Sequence, residues 1–108
     1  MKQFILIAGL LSLVSGQTFA ADIEAGKAKV TEICSGCHGM DGNSESHDFP
    51  KLAGQHEDYI KNALSLYQTG GRQNPIMVGM AASLSKEDIE NVAAYFSRQK
   101  GLIVKPEH

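Results

Sequence analysis

Two cysteines three positions apart with a histidine directly after the second, Cys34-Ser35-Gly36-Cys37-His38, constrain this chain more than any other feature. They are its only cysteines, so it cannot build the disulfide-dense framework that holds many small exported scaffolds together. C-x-x-C-H is instead the attachment signature of c-type haem. The spacing has a physical reason. Two thiols three positions apart can add to the two vinyl groups on one edge of the macrocycle, and the next residue then projects an imidazole at the iron. Covalent attachment keeps a cofactor that the surrounding fold is too small to hold by burial alone.

The chain has 108 residues, enough for one domain. Residues 1–20 are expected to be a secretory signal peptide. Lys2 supplies the positive start, residues 4–14 are apolar, and Thr18 and Ala20 are small side chains ahead of a cleavage point at Ala21. The apolar run is too short to span a bilayer comfortably, and an uncleaved N-terminal anchor is the competing reading. The expected organisation is a leader at 1–20 and one domain at 21–108, exported to the periplasm with no stable membrane insertion after cleavage. Without the leader, nine basic and twelve acidic side chains leave a net charge of −3. That balance argues against nucleic-acid binding, which needs a basic stripe. The aromatic inventory is thin: Phe49, Tyr59, Tyr67, Tyr95 and Phe96. So small a domain gains much from a buried cofactor.

Apolar spacing predicts three helices and no strands. The first covers about 22–33, with Asp22 as N-cap and Ile23, Gly26, Val30 and Ile33 or Cys34 on one face. The second starts near His56, has Glu57 and Asp58 in its first turn, and is stopped by Gly70-Gly71. Its apolar face is Tyr59, Ile60, Ala63, Leu64 and Tyr67. The third opens on a capping box, Ser85 with Asp88, and carries Ile89, Val92, Ala93 and Phe96 on one face. Arg98 and Lys100 are expected in its last turn, with Gly101 just beyond the end. Residues 39–55 and 70–84 read as two loops, long enough to be working parts.

Two rival chemistries compete for the pentapeptide, besides its chance occurrence. A thioredoxin-like redox pair would need βαβ elements, whose pattern is missing. A zinc site could recruit His38 with His47 or His56, but lacks the closely spaced second histidine pair of a finger. If haem is bound, a sixth iron ligand could come from Met40, Met77, Met80, His47, His56 or His108. Met40 lies two residues from His38, on the same side of the iron, and His108 is at a chain end. Met77 and Met80 lie in the second loop, able to wrap over the distal face. Their chemistry does not separate them, and the ordinary role of a methionine is core packing.

With these residues in view, the chain resembles the class I c-type cytochromes, most closely the single-haem units of the cytochrome c4 and c553 types. The likeness runs over about 22–101. It includes Gly39-Met40-Asp41-Gly42-Asn43-Ser44, then Phe49-Pro50-Lys51-Leu52-Ala53-Gly54-Gln55, and Met77-Val78-Gly79 ahead of Leu84-Ser85. The resemblance implies an all-α fold, three main helices wrapped around one covalently attached haem. It implies thioether bonds at Cys34 and Cys37, His38 as proximal ligand, and a Pro50 carbonyl that accepts from the other nitrogen of the His38 ring. It also selects Met77 over Met80 as distal ligand. First and last helices should cross where Gly26 and Val30 meet Val92 and Tyr95, with Val30 standing where many members have an aromatic residue. Cytochrome c4 proper carries two such domains in tandem, whereas this sequence holds one C-x-x-C-H.

The implied function is electron carrying rather than catalysis. One haem c iron would cycle between two oxidation states, meeting donor and acceptor proteins through the haem edge, in a monomer or weak dimer. A haem enzyme or gas sensor with an open distal site is the first alternative, and an exported zinc-binding module the second.

Overall fold

A computed structural model describes Gln3, Phe4, Gly9 and residues 20–104. The expected leader falls almost wholly outside these residues, as does His108. The described residues form helices and no strands, in the order α1 (Ile23–Lys29), a π-helical turn (Val30–Cys34), α2 (Ser35–His38), α3 (Glu57–Thr69), α4 (Pro75–Ala82) and α5 (Lys86–Ser97).

The first predicted helix starts as expected. Asp22 caps α1 by accepting from the Ala25 N–H at 3.0 Å. It does not run on as one regular helix. At Val30 the chain widens into a turn whose Ser35 N–H bonds the Val30 carbonyl five residues back, and a short last turn carries it to His38. Such a wide turn re-aims the side chains that follow it. These are Cys34, Cys37 and His38.

The last helix is the hub. Ser85 Oγ accepts from the Asp88 N–H and Asp88 Oδ2 from the Ser85 N–H, both at 3.0 Å, so the capping box forms with aspartate in place of the longer acid. Helices α1 and α3 both pack on α5. Phe96, Val30 and Val92 are the largest fully enclosed side chains, and Ile60, Leu64, Ala81, Leu84 and Ile89 complete the core.

The structure corrects three local expectations. Helix α5 ends at Ser97, because Arg98 and Gln99 turn back to donate to the carbonyls of Ala94 and Tyr95, at 2.9 and 3.0 Å. Gly101 is therefore no helix cap; it packs on Ala53, whose Cβ would lie 2.6 Å from any Cβ added there. At the crossing of α1 and α5, Gly26 meets Tyr95 as expected, and its nearest neighbour is the Asn91 backbone, which the expectation did not include. Finally, the second loop contains α4. Asn74 caps it, accepting from the N–H groups of Ile76 and Met77, and Pro75 fills its first turn, where no amide donor is needed. Its sequence is apolar all round, which erases the periodicity by which helices are read.

The crossing at Gly26 is tight enough to test. An added methyl would lie 2.7 Å from the Asn91 carbonyl carbon and 3.1 Å from Tyr95 Cβ. Backbone cannot rotate away as a side chain can. Gly26→Ala gains ~1 kcal/mol of helix propensity but should lose more, a net destabilisation of about 1–3 kcal/mol. Denaturant midpoints of the two haem-loaded proteins measure it, and a more stable variant would show that the helices do not meet there.

Candidate functional site

The turn at Val30 and the short α2 bring Cys34, Cys37 and His38 to one wall. Both thiols are free and half-buried, and His38 is buried. Burial first, then the charge of the neighbouring Cys37, raises the Cys34 thiol to about 11. That is the signature of a sulfur set in an apolar wall. The His38 ring is oriented from behind. Its Nδ1 donates to the Pro50 carbonyl at 2.8 Å, and the Phe49 ring stands edge-on to it at 6.5 Å between centroids. With Nδ1 carrying the proton, Nε2 is left with a free lone pair, the state a metal ligand requires.

Two adjoining cavities, about 140 and 200 Å³, share Cys34, His38, Pro50, Tyr67 and Met77 in their walls. The smaller reaches Cys37, Asp48, Ile76 and Met80. The larger runs inward between Leu52, Ile60, Leu64, Val92 and Phe96, and its charged wall residues are Lys51 and Arg72, both cationic. Thiols and an imidazole on one wall, a thioether from α4, apolar sides and two cations against one carboxylate, Asp48 in the smaller cavity, suit an amphipathic ring carrying two carboxylates whose charged edge lies toward Lys51 and Arg72. Haem has that chemistry, so the residues present fit it.

The other methionines and histidines separate by position. Met77 is half-buried, packs on the core and lines both cavities, while Met80 is 43% exposed and reaches the smaller one alone. Met40 belongs elsewhere: its sulfur accepts from Thr31 Oγ1 at 3.6 Å and its carbonyl from the Tyr95 hydroxyl at 2.7 Å. His47 is exposed in the loop before Phe49, and His56 stands at the N-cap of α3. Among the described residues no group of three or more His, Cys, Asp or Glu is gathered as a metal site. The zinc arrangement therefore has no second half. Sequence reasoning missed Arg72 and took Tyr67 for plain core. Arg72 lies over the Tyr67 ring, 5.1 Å from its centroid, and reaches the Tyr59 hydroxyl at 3.5 Å. The helix stop at Gly70-Gly71 was the available signal, because it turns the next side chain back over α3.

The family model for cytochrome c matches residues 23–100. This chain belongs to the cytochrome c family. Within it, the chain is a class I c-type cytochrome close to cytochrome c4, with the all-α fold and the covalently held haem c of that family. It is 44% identical over 110 residues to cytochrome c4 of Stutzerimonas stutzeri, a match covering 92% of this chain and 52% of that protein. It is 35% identical over 102 residues to the cytochrome subunit of sulfide dehydrogenase of Chlorobaculum tepidum, covering 84% and 92%. Reduced recombinant cytochrome c4 from Pseudomonas stutzeri superposes with a TM-score of 0.71 at 46% identity, over 78% of this chain and 48% of that one. This cytochrome c spans about half the length of the cytochromes c4 it matches.

Attachment through Cys34 and Cys37 has a direct check. The denatured protein, made in cells competent for cytochrome c maturation, should weigh one haem more than its polypeptide, and Cys34→Ala with Cys37→Ala together should remove that increment. Haem that stays on the double variant through denaturation would refute the thioether assignment.

Proposed function

We propose that this cytochrome c is a periplasmic one-electron carrier whose iron is held between His38 and Met77. The haem supplies the one-electron couple of its iron; everything else is done by the chain. Cys34 and Cys37 bind the vinyl edge. His38 presents Nε2 in a fixed orientation, because Pro50 holds the opposite nitrogen at 2.8 Å. Met77 offers a thioether from α4, and the apolar walls keep water away from the ring. Methionine opposite histidine raises the potential, and so does burial. Two protein ligands leave no coordination place for a substrate, which favours carrying over catalysis.

The observation that carries this reading is the pair of cavities sharing both His38 and Met77 in their walls. Electron exchange would use the side of the smaller cavity, where Cys37 shares a wall with the exposed Ile76 and Met80. Donor and acceptor proteins would meet it through a small, transient contact. Export rests on the leader-like residues 1–20. Among the described residues no helix is long and apolar enough to cross a membrane. The N-terminus of protein purified from periplasmic extract should be Ala21, and a chain retaining Lys2 would count against cleavage.

Met77 and Met80 should part company on replacement. Met77→Ala should abolish the methionine–iron charge-transfer band, lower the potential and let carbon monoxide bind the ferrous iron. Met80→Ala should keep the band, and because this side chain is 43% exposed it should cost well under the ~2–5 kcal/mol of a buried methionine truncation. Loss of the band in Met80→Ala alone would reverse the assignment.

A further inference from the structure

Helix α4, which carries Met77, is lightly attached. Of its eight residues, Ala81 is buried and Met77 half-buried, and the rest are exposed. Its first turn is ordered from within, by the Asn74 cap at 3.1 Å to two N–H groups. That cap shapes the helix but fastens it to nothing else. The far end is different. Gln68, near the end of α3, donates from its single Nε2 to the carbonyls of Ala81 and Leu84, both at 2.8 Å. An amide nitrogen has two hydrogens, and both are used. Ala81 is in the last turn of α4, where its carbonyl also accepts from the N–H groups of Ser83 and Leu84, the latter at 3.1 Å, and Leu84 directly precedes the cap of α5. One side chain thus clasps the end of α4 and the start of α5 onto α3. The clasp spans the turn at residues 83–84, adding side-chain bonds from α3 to a turn otherwise closed by its own backbone.

We infer that Gln68 is a positioning residue for the distal ligand: its two hydrogen bonds hold α4 so that the Met77 thioether stays at the cavity it shares with His38. The inference rests on Met77 being the sixth ligand. Gln68 itself lines neither cavity, so its action is through the helix alone. A restrained helix keeps the effective concentration of the thioether at the iron high, as a short, matched linker does for a tethered group. Releasing the clasp lets the same thioether detach more often, and an outside ligand then competes better. The overall fold depends little on it, because α1, α3 and α5 meet through their own core.

The test is imidazole titration of the ferric, haem-loaded protein, followed by loss of the methionine–iron band. Gln68→Glu keeps the shape but turns two donors into an acceptor-only carboxylate facing two carbonyls; Gln68→Ala removes the contact. Position 68 is exposed, so both should fold. Each should bind imidazole about tenfold more tightly than the parent, the effect of losing roughly one net hydrogen bond of restraint. Asn91→Ala is the control. It removes the 2.8 Å bond to the Asp22 N–H at the contact of α1 with α5, and should lower the denaturation midpoint while leaving imidazole affinity at the parental value. Gln68 variants that bind imidazole like the parent, or an Asn91→Ala shift of equal size, would overturn the inference. Met77→Ala keeps the two readings apart. If it binds imidazole no more tightly than the parent, Met77 is not the displaced ligand and the ligation itself is wrong. If it binds far more tightly while the Gln68 variants do not, only the clasp is wrong.

Discussion

The close approach of α1 to α5, backbone against backbone at Gly26 and Asn91, is the contact on which the remaining geometry depends. It sets where α1 ends, and so where the wide turn at Val30 delivers Cys34, Cys37 and His38. The same α5 organises the other two parts of the site. Its C-terminal end accepts the Gly54 N–H at the Phe96 carbonyl, 2.9 Å, and Tyr95 donates to the Met40 carbonyl at 2.7 Å. The loop that bears Pro50 is thereby stitched down at both sides of the proline. Its N-terminal end begins at the Ser85 cap, directly after the Leu84 carbonyl that Gln68 grips. His38, the loop of Pro50 and the Met77 helix all hang from one helix.

Core and cofactor space are the same surface. Ile60, Leu64, Val92 and Phe96 belong to the packed cluster and also line the inner cavity. A ring placed there adds apolar contact to side chains that the protein has already gathered, and in a domain this small that contribution is large relative to the total. Binding to the folded state alone also shifts the folding equilibrium toward it. The ion pairs add little by comparison. Lys29 with Glu32, and Lys61 with Asp58 and Glu90, join partly or largely exposed groups at 3.2 to 3.4 Å. Such surface pairs typically contribute ~0–1 kcal/mol.

The clasp at Gln68 and the bond from Pro50 illustrate one division of labour. His38 and Met77 are each presented by a short element, α2 or α4, too small to be rigid by itself. Each is steadied by one polar contact from a neighbour: Pro50 on the His38 ring, Gln68 on the end of α4. Rigidity at the metal comes from these long-range bonds rather than from helix propensity.

Some of this was readable along the chain. Cys34, Cys37 and His38 stand out by spacing, because C-x-x-C-H is a signature read within five adjacent residues. The beginnings of α1 and α5 were readable because capping is local, an aspartate or serine satisfying N–H groups three residues on, and that of α3 from Glu57 and Asp58 in its first turn. Helix ends were less so: the last turn of α5 is closed by Arg98 and Gln99 folding back, and Gly101 is needed for its lack of a side chain against Ala53. Helix α4 was hidden because eight nearly uniform apolar residues show no face. Its Asn74-Pro75 start was the only local sign. Which methionine is half-buried and which exposed, that Gly26 lies closest to the Asn91 backbone, and that Gln68 reaches the carbonyls of Ala81 and Leu84 were decided by tertiary structure alone. Each depends on how separate helices are brought together, and chain-local spacing carries no term for the distance between elements that only packing makes neighbours.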